Sequence, residues 1–178
     1  MFRILVCLAL MFPALAVAQG MPGHQHGGMA ATPTQPGQGA FAAIQEIVQI
    51  LEADPATDWS KVNIEALRGH LIDMDNVTLH AVVKSEAVSG GMRFTASGSG
   101  AVRESIRRMV TAHAATMNGV DGWQFAAAGT AEGAALTVKA PAAEMAKLRG
   151  LGFIGVLTHG MHHQMHHLMI AQGGAPHG

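Results

Sequence analysis

Val77-Thr78-Leu79-His80-Ala81-Val82-Val83-Lys84-Ser85-Glu86-Ala87-Val88, then Ser89-Gly90-Gly91, then Met92-Arg93-Phe94-Thr95-Ala96-Ser97, is the stretch that decides the fold. Its two flanks are rich in Val, Thr and Phe, and the glycines between them supply positive φ at a turn, so the pattern predicts a β-hairpin over 77–97. Gly98-Ser99-Gly100 leads into a predicted helix that places Val102, Ile106, Met109, Val110, His113 and Met117 on one side and ends at Asn118-Gly119. A weaker copy of the hairpin follows, Trp123 to Ala128, Thr130 to Gly133 and Ala134 to Ala140. Pro141 then opens a last helix reaching about Ile170, with a kink expected near Gly150, Gly152 or Gly155.

Upstream the period is helical. Ile44, Ile47, Val48 and Leu51 recur at helix spacing up to Asp54-Pro55, and Ile64, Leu67, Leu71 and Met74 line one face of a second segment. The fold class expected is therefore α+β: an N-terminal helical hairpin followed by two ββα units that form a four-stranded antiparallel sheet with helices on one face.

The organisation around this domain is compositional. Arg3, the apolar run Ile4 to Val17 and Ala16-Val17-Ala18 have the order of a signal peptide, with cleavage expected after Ala18 at residues 1–18. Export, and a periplasmic location, follow from that reading. Cys7 lies inside the leader, so no thiol is expected in the mature chain, which excludes disulfides, a Cys nucleophile, Cys-based zinc sites and covalent haem. No transmembrane segment is expected after cleavage. Residues 19–39, rich in Gly, Pro and Gln and carrying Met21, His24, His26 and Met29, are expected to be a disordered arm. The single domain is placed at 40–170 and a flexible tail at 171–178.

Composition narrows the function classes. A formal charge of −1 with 13% charged residues carries no basic footprint, so nucleic acid is not an expected partner. Aromatics at 4% with no Tyr disfavour a base-stacking or sugar-stacking platform. What remains is 11 His and 12 Met.

Thr158-His159-Gly160-Met161-His162-His163-Gln164-Met165-His166-His167-Leu168-Met169-Ile170 concentrates them. On one helix His159/His163, His162/His166 and His163/His167 are i,i+4 neighbours, and the five imidazoles span about 140° of its circumference. An i,i+4 pair can chelate a divalent ion, because both rings lean the same way and neutral imidazole suits Cu, Zn and Ni. His159, His162, His163, His166 and His167 are the expected metal ligands, with a further donor supplied from elsewhere. Met161, Met165 and Met169 form a separate stripe whose bland reading is adaptable core packing. A solvated polar face is the competing account of the histidines.

Weaker candidates are Met109, His113 and Met117, a thioether–imidazole–thioether series that coincides with an apolar face, and the pair His70 and Met74. His80 is expected in a strand as a structural residue. The tail and the arm resemble, in composition only, the His- and Met-rich segments of bacterial periplasmic copper-handling proteins. That resemblance, with thioether and imidazole donors together, makes copper the expected ion and zinc and nickel the alternatives. Sequestration or delivery, with another periplasmic metal-handling protein as partner, is favoured over catalysis, since HExxH and GxSxG motifs are absent. The alternatives are a metal-dependent oxidoreductase using the same cluster and a pH-responsive interaction protein without metal.

Overall fold

The computed structural model describes residues 39–160 and 163–174. The expected leader, nearly all of the arm, and His162 lie outside the described residues. Five α-helices and four strands follow in the order α1 (Ala40–Ala53), α2 (Ile64–His80), β1 (Val82–Val88), β2 (Gly91–Ser97), α3 (Gly100–Met117), β3 (Gln124–Thr130), β4 (Gly133–Lys139), α4 (Met145–Thr158) and α5 (His163–Ala171). The class is mixed α+β, with one four-stranded antiparallel sheet in the order β1-β2-β4-β3.

Register explains which face of the sheet is covered. Phe94 stands opposite Leu136, Ala96 opposite Ala134, and Phe125 opposite Val138, so these side chains share one face. All six are buried in one core with Ile106, Val110 and Met117 of α3 and Leu148, Phe153 and Val156 of α4. The opposite face carries Lys84, Glu86, Arg93, Ala126 and Ala128, all exposed.

A second, smaller core lies among the helices. Ile47 and Leu51 of α1, Leu67 and Leu71 of α2, and Ile170 and Ala171 of α5 bury one another. Helix α2 begins where Asn63 Oδ1 accepts from the Ala66 N–H at 2.9 Å, satisfying a donor that the first turn leaves orphaned. The backbone N–H of Asn63 donates to the Ala171 carbonyl at 2.7 Å, which ties the end of α5 to the start of α2. Helix α2 is joined to α3 by a polar chain: Asn76 Nδ2 donates to Ser105 Oγ, Ser105 Oγ donates to Asp73 Oδ1, and Arg108 donates to both Asp73 oxygens. Burial raises the Asp73 pKa, but the hydrogen bonds from Arg108 and Ser105 outweigh it and hold the carboxyl below its usual range.

Two boundaries differ from expectation. Residues 77–80 continue α2 rather than starting β1, and the helix carries Val77, at 1% exposure, into the sheet-side core. His80 is accordingly an exposed helix-terminal residue. The expected last helix is two elements: Gly152 in α4 takes φ +59, ψ −166, and Gly160, between α4 and α5, takes φ +71. Both are conformations that residues with a Cβ disfavour.

Candidate metal centre

Helix α5 supplies His163, His166 and His167, and helix α2 brings His70 to them from the far side. The His70 ring lies 4.8 Å from that of His166 and 5.5 Å from that of His167, centroid to centroid. His163 and His166 lie 6.3 and 6.4 Å from His167. Two imidazoles on one tetrahedral ion, with metal–nitrogen bonds of ~2.0–2.1 Å, have ring centroids roughly 5 Å apart. The contacts to His70 bracket that separation. Among the described residues, no three His, Cys, Asp or Glu side chains have donor atoms already converged on one point, so coordination would require rotation of these rings.

His167 is the anchor. It is 4% exposed, and its Nδ1 lies 2.8 Å from Gln164 Oε1, one turn earlier on α5. The amide nitrogen of Gln164 in turn donates to Glu46 of α1. A carboxylate only accepts, so the Gln164 amide must turn its NH2 to Glu46 and its oxygen to His167. His167 Nδ1 must therefore carry the proton, which leaves the lone pair on Nε2. That Nε2 is buried and has no hydrogen-bond partner among the described residues. Burial, assisted by His163, pushes the His167 pKa down to about 4, while Glu46 opposes the shift. The ring is neutral with a ligating nitrogen exposed to its neighbours, the state a metal ligand needs. Burial also lowers the His163 pKa.

The expected ligands make different contacts. His159 ends α4 and lies against Trp123, with ring centroids 4.8 Å apart. His113 sits on α3 at 5% exposure, edge-on to Phe125 at 5.3 Å. Burial pushes its pKa down to about 4, with His163 and His159 adding to the shift. Met117 is buried with it in the sheet-side core, whereas Met109 is only half-buried beside that core. Met74 packs partly buried against the smaller core, and Met165 and Met169 of α5 are exposed.

His70 was visible in the sequence only as half of an i,i+4 pair with Met74, and nothing local joined it to the tail. Glu46 and Gln164 carried no signal, because an ordinary helix surface also presents such residues. A depression lined by Asn118, Gly119, Gln124, Phe125, Ala126, Thr137 and Lys139 contains none of the clustered histidines.

No helix among the described residues is long and apolar enough to cross a membrane. No protein-family model, curated protein or solved structure matches the chain.

Proposed function

We propose that this chain binds a transition-metal ion through His70, His163, His166 and His167, and that it sequesters or delivers that ion rather than turning over a substrate. The observation that supports it most is the relay from Glu46 through Gln164 to His167, which dictates the tautomer and leaves Nε2 ready to ligate. Copper is the ion favoured, with zinc and nickel as alternatives, because imidazole is the donor and the two helices that carry the histidines also carry the thioethers of Met74, Met165 and Met169. With the leader read at residues 1–18, the activity would belong to the periplasm, with another metal-handling protein as the exchange partner. His162, adjacent to His163, joins the ligand set in this reading.

A metal-free switch acting near pH 6 has less support. His113 and His167 are held near pKa about 4, so neither charges in that range.

The test is calorimetric titration of Cu(II) into untagged, chelator-stripped protein, beside a variant with His70, His163, His166 and His167 all replaced by Ala. Loss of tight binding in the variant, with its circular dichroism retained, supports the assignment. Unchanged affinity overturns it. Elemental analysis of untagged protein as purified identifies the ion.

A further inference from the structure

We propose a second metal site, distinct from the α5 cluster in its donors and suited to a soft monovalent ion such as Cu(I), formed by His113 and Met117 of α3 with His159 at the end of α4. His113 and Met117 are i,i+4 neighbours, so their side chains stack on one face of the helix. Both are 5% exposed, and the Met117 methyl group reaches the segment that follows α4. The closeness of that segment is set by Gly160: a Cβ built there would fall 2.9 Å from the Met117 methyl carbon. His159 is the preceding residue.

Two buried nitrogens point to a ligand. The Nε2 atoms of His113 and His159 are both buried and have no hydrogen-bond partner among the described residues. A buried imidazole nitrogen without a partner is uncommon, because it gives up hydration and receives nothing in return. Two such atoms, on imidazoles that flank the same Phe125–Trp123 pair, call for a common explanation, and a bound cation supplies one.

The surroundings select the kind of cation. Phe125 lies against His113 and Trp123 against His159, and the two aromatic rings stack on each other at 6.2 Å. The donor set is two imidazole nitrogens and a thioether in an apolar wall. Glu144 is engaged with Trp123 Nε1 and Lys147 Nζ. A hard divalent ion would need carboxylates or water there, whereas Cu(I) accepts few, soft donors and low charge. The α5 cluster, made of imidazoles around a hydrogen-bonded His167, offers a different donor set.

Trp123 makes the site observable. The chain has two tryptophans, and Trp59 is 55% exposed, so W59F isolates the indole beside His159. Ag(I), a redox-inert probe for Cu(I), would be titrated into the full chain carrying W59F, and Trp123 emission recorded. We expect saturable quenching, weakened at least ~10-fold by Met117→Leu, which keeps the volume and removes the sulfur. His159→Asn, at a half-buried position, should act likewise if Met117→Leu perturbs the core. Zn(II) should leave the emission unchanged, and H70A with H166A should leave the Ag(I) response intact.

Absence of quenching, quenching indifferent to both Met117→Leu and His159→Asn, or quenching abolished by H70A with H166A would each overturn the second site. The α5 assignment is read separately, by Cu(II) calorimetry, so either site can fail alone.

Discussion

Glu46 on α1 receives the side-chain amide of Gln164 on α5, and that contact decides which nitrogen of His167 holds a proton. Replacing the carboxylate by an amide of the same shape removes the constraint, because Gln can donate or accept. Glu46→Gln is expected to weaken Cu(II) binding roughly 10–100-fold, the usual scale for partners that orient a ligand. Calorimetry checks it; an unaltered affinity would show that the relay does not govern the site.

The metal-free fold should lose stability in acid. His113 and His167 titrate at about 4 in the folded chain against a reference of 6.5, so between those values the unfolded chain binds more protons. Their contribution is fully present above about pH 6.5 and is lost as the pH falls through about 4, at up to roughly 3 kcal/mol per ring. Urea midpoints of chelator-treated protein should therefore drop over this interval. A flat profile would contradict the burial of neutral rings.

Much of this architecture is legible in the chain. The first hairpin declares itself through its Val, Thr and Phe content and the Ser89-Gly90 turn, the second more weakly, and α3 through the spacing of Ile106, Val110 and Met117. The end of α2 is not, because Val77-Thr78-Leu79 has strand-like composition and only the core contact of Val77 decides for helix. The site is half legible: i,i+4 spacing marks His163 and His167, but His70, Glu46 and the contact of His159 with Trp123 depend on how distant elements pack.

Gly152 and Gly69 should respond oppositely to Ala. At φ +59, ψ −166 a Cβ is strained at Gly152, and Gly152→Ala is expected to cost about 1–3 kcal/mol. Gly69 lies in α2, where an added Cβ would meet nothing within 4 Å, so Gly69→Ala should stabilise by about 0.5–1 kcal/mol. Thermal melts distinguish the signs.

The α2–α3 chain predicts another contrast. Asp73→Ala leaves the fully buried Ser105 hydroxyl without its acceptor and should destabilise by about 1–3 kcal/mol. Arg108 is exposed, so Arg108→Ala should cost under about 1 kcal/mol. Equal losses in urea titration would refute this ordering.

The central seam of the sheet joins β2 to β4, strands from different hairpins, with Phe94 opposite Leu136. Neither hairpin can cover its apolar side alone, so a growing polypeptide halted before β4 is complete would present β2 as a bare edge. Acquisition of the native state is thus a late, nearly all-at-once event in synthesis, set by a pairing of high sequence separation.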